Sequence, residues 1–176
     1  EDTAILFGTL VSDSGSAAEC RFGYSLYGDD GTQTTPWQSG VSSGDRFHAD
    51  TAGLLPGTRY EFQAQAANIG GTSEGEPVIF RTKPLEPTEL DAAASGQTTT
   101  ELAWAKGQGS SRTIVRGKKN SAPTNPSDGY AVYDGEDTSC SDEGLEPGST
   151  YWYAAWSVAD DGILGEVWSD EFASDN

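Results

Sequence analysis

The chain has 176 residues and a formal net charge of −18, with 22 glycines, 8 prolines and no methionine. Such a surface repels phosphate backbones and anionic headgroups, which excludes a nucleic-acid partner, and no apolar run approaches the roughly 18 residues that would predict membrane insertion. The acid is uneven: residues 1–84 hold 11 acids against 5 bases, and residues 85–176 hold 17 against 5. Frequent glycine and proline, abundant Thr, Val, Tyr and Trp, and the lack of a helical period read as an all-β chain with many turns. With no visible signal peptide and a start at Glu1, it reads as a mature or excised piece of a longer product.

The elements follow in chain order. Residues 4–11 are a strand and 12–16 a turn. Residues 20–27 are a second strand, with Phe22, Tyr24 and Leu26 on one face. A turn at 28–31 and a loose segment with Trp37 lead to a short strand at 46–50. There Leu55-Pro56-Gly57-Thr58-Arg59-Tyr60 opens a strand that puts Tyr60, Phe62, Ala64 and Ala66 on one face. A turn at 68–71 precedes the strand at 77–82. Lys83-Pro84-Leu85-Glu86-Pro87, with two prolines, reads as a short stiff linker. Beyond it come strands near 88–94, 101–104 (Leu102 and Trp104 inward) and 112–116, then a long loop at 117–129 and a strand at 130–133. Leu145-Glu146-Pro147-Gly148-Ser149-Thr150-Tyr151 then opens a strand to 158, and residues 167–172 close the set.

The Leu…Pro-Gly…Tyr motif therefore occurs twice, about 90 residues apart, the size of one small β-sandwich. Its chemistry is local. Proline fixes φ and glycine accepts positive φ, so Pro56-Gly57 and Pro147-Gly148 make tight turns. Leu55 or Leu145 before the turn is expected to plug the core. Tyr60 or Tyr151 after it buries its ring and bonds its hydroxyl back to the turn backbone, a tyrosine corner. Two domains follow, at residues 1–84 and 85–176, each a Greek-key sandwich. The second has a strand before Trp104 that the first lacks. The first domain is thus missing its opening strand, which either upstream residues or another chain would supply; a longer parent chain is the preferred source.

These residues resemble the fibronectin type III family, and more narrowly its bacterial, archaeal and phage variants. The first domain carries the resemblance at Ala4, Leu6, Gly8 and Leu10, at 22–27, at 55–68, at Thr72, and at Phe80 with Thr82. The second carries it at 101–104, 113–117, 123–130 and 145–153. The resemblance implies an extracellular, cell-surface or virion-surface location and a role as spacer, adhesive unit or accessory to carbohydrate enzymes. It implies no catalysis and no cofactor.

Candidate sites are few. Trp152 and Trp156 alternate with the inward Tyr153 and Ala155, so both should face outward, as a subunit contact, as a glycan platform, or packed beneath the 117–129 loop. Trp168 shares parity with Phe172 and reads as core. Lys118 and Lys119 form a basic pair in an acidic domain that could dock a neighbouring subunit. If a cation binds, Asp134, Asp137 and Asp142 are the candidates, although Asp-Gly runs make turns on their own. Gly71-Thr72-Ser73-Glu74-Gly75 matches a hydrolase pattern in the wrong context, a hairpin rather than a strand-to-helix elbow, with His48 the sole histidine. Cys20 and Cys140 fall in different domains, which excludes an intradomain bridge and leaves free thiols or a longer-range bridge open. The expectation is a non-catalytic structural or interaction module of a surface-exposed multidomain protein, fibre or virion appendage, with neighbouring domains or subunits as partners. The alternative is a carbohydrate-binding accessory module whose partner is a glycan.

Overall fold

The computed structural model describes residues 2–170 and 172–175, and among them every regular element is a β-strand. The chain divides into two compact units, residues 2–82 and residues 83 onward.

In the first unit the strands are β1 (Thr3–Thr9), β2 (Ala18–Leu26), β3 (Gln33–Thr34), β4 (Gln38–Val41), β5 (Arg46–Ala52), β6 (Arg59–Asn68), β7 (Gly71–Glu74) and β8 (Val78–Arg81). β2 and β6 run antiparallel from Glu19↔Ala67 to Leu26↔Tyr60. β3 and β4 flank β2, while β7 and β8 flank β6. β1 and β5 form a separate two-stranded sheet, from Thr3↔Ala52 to Thr9↔Arg46. The alternation read from the sequence explains why the two sheets face each other. Leu6 and Phe47 from the small sheet and Cys20 and Phe22 from the large one are all buried, and Phe62, Ala64 and Ala66 pack onto them. Phe22 stacks on Phe47 with ring centroids 4.9 Å apart and meets Phe62 edge-on at 5.8 Å. The close approach needs Gly8, where an added Cβ would lie 2.7 Å from the Phe47 ring.

In the second unit the strands are β9 (Thr88–Ala94), β10 (Thr99–Ala105), β11 (Arg112–Lys119), β12 (Tyr130–Gly135), β13 (Ser139–Glu143), β14 (Tyr151–Ala159), β15 (Val167–Trp168) and β16 (Ala173–Asp175). One sheet has the order β13-β10-β9. The other has the order β12-β11-β14-β15, with β16 also on β14. Leu102, Trp104, Val115, Tyr153 and Ala155 fill the space between them. Both units are thus antiparallel sandwiches of one plan: β10 and β13 correspond to β1 and β5, and β11 and β14 to β2 and β6. The plan differs at one position. β9 lies on the outer edge of β10, with Ala92 opposite Leu102, whereas among the described residues no strand occupies the equivalent edge of β1.

Each Pro-Gly turn is tied to the strand that follows it. The Leu55 N–H donates to the Tyr60 hydroxyl at 2.9 Å, and the Glu146 N–H to the Tyr151 hydroxyl at 3.1 Å. The first corner has a second tie. The buried Thr82 hydroxyl donates to the Leu55 carbonyl at 2.6 Å and accepts from the Thr58 N–H at 3.0 Å. Gly57 and Gly148 take φ of 59° and 73°. The plugging residue differs from the sequence expectation. Leu55 is 51% exposed and Leu54 is buried in its place, because the Leu55 backbone is consumed by the corner and its side chain turns outward. Leu145 is half-buried.

The proline pair is not a free tether. Pro84 and Pro87 are fully buried, the Leu85 N–H donates to the Gln108 carbonyl at 3.0 Å, and Lys83 pairs with Asp170. The backbone of residues 85–86 lies so close to Gly107 that an added Cβ there would stand 2.0 Å from the Leu85 carbonyl oxygen.

Two outcomes follow for denaturant unfolding of the purified chain. Tyr60→Phe is expected to destabilise the first unit by about 1 kcal/mol, since it leaves a turn N–H without its acceptor. Gly107→Ala is expected to destabilise the second unit by about 1–3 kcal/mol through forced backbone displacement. An unchanged midpoint for either variant would refute the corresponding contact.

Candidate functional site

A cleft lined by aromatic residues of the last strands and by the 117–129 loop lies on the outer face of the large sheet of the second unit. Side chains alternate along β11 and β14, so Arg112, Ile114, Arg116 and Lys118 share the outer face with Trp152, Ala154, Trp156 and Val158. This face is not bare. Ile114, Ala154, Trp156 and Val158 are all buried, and the Phe172 ring covers Trp156 with centroids 4.9 Å apart. The cleft above them has a volume of about 570 Å³ and is lined by Arg116, Pro126, Trp156, Trp168, Asp170 and Phe172, among others. The Arg116 Nε–H donates to the Pro126 carbonyl at 2.6 Å, which anchors the 117–129 loop along one wall. Its chemistry is an aromatic floor with one guanidinium and one carboxylate at the rim.

Of the alternatives the sequence left open for Trp152 and Trp156, this arrangement favours coverage of the outer face, and it corrects the core reading of Trp168. Trp152 and Trp156 do sit on the outer face, but Trp156 is only 2% exposed and Trp152 is half-buried. The cause is a second apolar layer: the chain beyond β14 returns across this face. Trp168, expected in the core, is half-buried in the cleft wall, and Phe172 is exposed. Parity could not reveal this, since parity assigns a face and does not say what covers it.

The other candidates serve the scaffold. Lys118 pairs with Asp128 at 2.8 Å and Lys119 with Glu146 at 2.5 Å. Asp128 also accepts from the Thr124 N–H at 3.0 Å, so Lys118 holds the long loop, and these bonds depress the Asp128 pKa. Asp134 pairs with Arg112, which also binds Glu166 at 2.5 Å. The Asp137 N–H donates to the Tyr133 hydroxyl at 2.7 Å. Asp142 accepts at one oxygen from both the Tyr130 hydroxyl, at 2.6 Å, and the Tyr153 hydroxyl, at 3.0 Å. The Asp134 and Asp142 carboxylates are thus engaged separately, Asp137 is held through its backbone N–H, and among the described residues no group of three or more His, Cys, Asp or Glu is placed to hold a metal ion. Ser73 lies on the exposed β7, opposite Ala66, and His48 is exposed beside Phe7. Cys20 and Cys140 are free thiols.

The Asp142 cluster is the feature that sequence reasoning missed. Tyr130 and Tyr153 belong to the large sheet and Asp142 to the small one, so the two hydroxyls clasp the sheets together at the edge where β12 meets β13. Gly117 makes room, since an added Cβ would lie 2.6 Å from the Tyr130 ring. Burial pushes the Tyr153 hydroxyl up to about 12 and the Cys140 thiol up to about 11, with the Asp142 charge adding to both; burial raises Tyr130 as well. The spacing of the residues carried no sign of the clasp, because it joins residues 11 and 12 positions apart through sheet pairing.

Strand order, a core shared between two sheets and two tyrosine corners define the class: an all-β chain of two antiparallel β-sandwiches. No family model and no curated protein matches the chain. Among solved structures it is similar to the FN1–FN3 domains of chicken CNTN1, with 12% sequence identity and a TM-score of 0.40. The match covers 99% of this chain and 62% of that one, so the chain spans less than two thirds of that structure's length.

The clasp sets an alkaline limit. Tyr153 and Cys140 titrate higher folded than at their ordinary values of 10.0 and 9.0. Their contribution is therefore complete below about pH 9 and is lost as pH rises through about 11 and 12. Thermal melts of the second unit across that window should fall steeply. A flat profile would contradict the clasp.

Proposed function

We propose that the chain is a non-catalytic structural and interaction module of a surface-exposed multidomain protein, fibre or virion appendage. The observation that carries this reading is where the polar side chains go. Lys118, Lys119, Arg112, Asp128, Asp134 and Asp142, the groups with chemistry to offer, are spent on ties within their own unit. A protein built this way presents rigid shape and an acidic surface, and its partners are neighbouring domains or other subunits. The acidic surface suits an extracellular, cell-surface or virion-surface setting, where it keeps a repetitive scaffold soluble.

The glycan reading rests on less. It needs flat exposed rings, and the burial of Trp156 removes one of the two on which it relied.

The test is surface labelling. Antibodies raised against this chain should label intact cells or particles of the source without permeabilisation. Labelling that appears only after lysis would contradict the surface module, and a hydrolase activity lost on Ser73→Ala would contradict the non-catalytic part.

A further inference from the structure

We propose that the cleft on the outer face of the second unit binds a carboxylate-bearing sugar ring, with Arg116 gripping the carboxylate. The inference deepens the module reading above, on which it rests, by naming a ligand class for one surface of that module.

The first observation is the ionic state of β11. The strand carries four cations, Arg112, Arg116, Lys118 and Lys119. Arg112 pairs with Asp134 and Glu166, Lys118 with Asp128, and Lys119 with Glu146. Arg116 has no carboxylate partner among the described residues; its Nε–H goes to the neutral Pro126 carbonyl. Acids outnumber lysines and arginines 28 to 10 in this chain, so the cause is placement and not a shortage of acids. The bond to Pro126 fixes the guanidinium and leaves its two Nη groups without a protein acceptor among the described residues. Those two groups are the fork that holds a carboxylate through parallel hydrogen bonds. Arg116 is also half-buried, where a charge acts on an anion more strongly than it does in open water.

The second observation is the shape beside that cation. The cleft holds about 570 Å³, inside the range of small-ligand sites, roughly 300–1,000 Å³. Its open aromatic area comes from Trp168, which is half-buried, and Phe172, which is 37% exposed. These are different rings from the Trp152 and Trp156 pair. An aromatic face takes the C–H side of a sugar ring, while the ring's polar edge stays outward.

The third observation is the rim. Asn125 Oδ1 accepts from the Ser127 N–H at 3.0 Å, which orients the amide and leaves Nδ2 without a protein acceptor among the described residues. The Ser127 hydroxyl and the Asp170 carboxylate line the same cleft. Hydroxyls both donate and accept, so a polyol satisfies this mixture of donors and acceptors. A peptide C-terminus offers a carboxylate and an apolar side chain but no such set of hydroxyls. The loop is also set in advance: Asp128 holds Lys118 at 2.8 Å and the Thr124 N–H at 3.0 Å. Less ordering is then needed on binding.

The experiment is a nitrogen–proton NMR titration of this chain with methyl β-D-glucuronide. The expected result is saturable shifts at the Arg116 Nε–H, the Asn125 amide and the Trp168 indole, with a Kd of about 1 mM. Arg116→Gln should weaken binding about tenfold or more, and Trp168→Ala should weaken it as well. Lys106→Gln, which removes an exposed cation outside the cleft, should leave it unchanged. The spectra themselves check that each variant folds, and the wild-type shifts locate the site without any variant. Four outcomes would overturn the proposal: no saturable shift at these residues; equal affinity for the neutral methyl β-D-glucoside; equal affinity for acetate alone; or tighter binding at the same residues of N-acetyl-Gly-Phe, which would assign the cleft to a peptide terminus. Each would leave the module reading standing, since surface labelling tests that reading separately.

Discussion

A single hydroxyl-to-backbone bond, made twice, organises this chain. A strand leaving one sheet must enter the other through a turn whose amide groups no longer belong to either ladder, and unpaired amides near a core are costly. Tyr60 and Tyr151 resolve this with the same side chain that begins the next strand: the ring enters the protein and the oxygen returns to the turn. Once the angle at which β6 and β14 depart is set, the pairing of β6 with β2 and of β14 with β11 follows, and with it the two faces that make each core.

Around that shared device the units diverge. The first adds Thr82 to its corner, so the last strand is tied to the same turn that starts β6. The second has no such threonine and is held instead by the clasp of Tyr130 and Tyr153 on Asp142, at the edge opposite β9. Among the described residues no strand lies beside β1 in the small sheet of the first unit, whereas β9 takes that edge in the second. The second unit also carries an extra apolar layer over its outer face, floored by Trp156. Its excess of acid is consistent with this, since Asp128, Asp134 and Glu146 anchor cations that hold the long loop and the outer strands.

Much of the fold was legible because period-two alternation and Pro-Gly turns act locally. Phe22, Phe62, Ala64 and Ala66 landed on the core face, and Leu102 and Trp104 faced inward, as alternation demands. What failed was whatever depends on coverage by distant chain. Trp156 faces outward by parity and is buried by Phe172, sixteen positions on. Leu55 is displaced from the core by Leu54 because hydrogen bonding at the corner fixes the local backbone, a constraint invisible to hydrophobicity. The Asp142 clasp joins three strands of two sheets and left no local signature. The lysine pair looked free only because Asp128 and Glu146 return through loops of unpredictable path.

Residue-resolved amide hydrogen exchange tests the central claim most directly. Leu55 and Glu146 lie in surface turns, and Leu55 is half-exposed, so without the corners their amides would exchange at loop rates. The account predicts protection at both comparable to that of the β6 and β14 ladders. Exchange at both as fast as in the turn at residues 28–31 would show that the corners do not hold the strands, and the organising role given to them would fall.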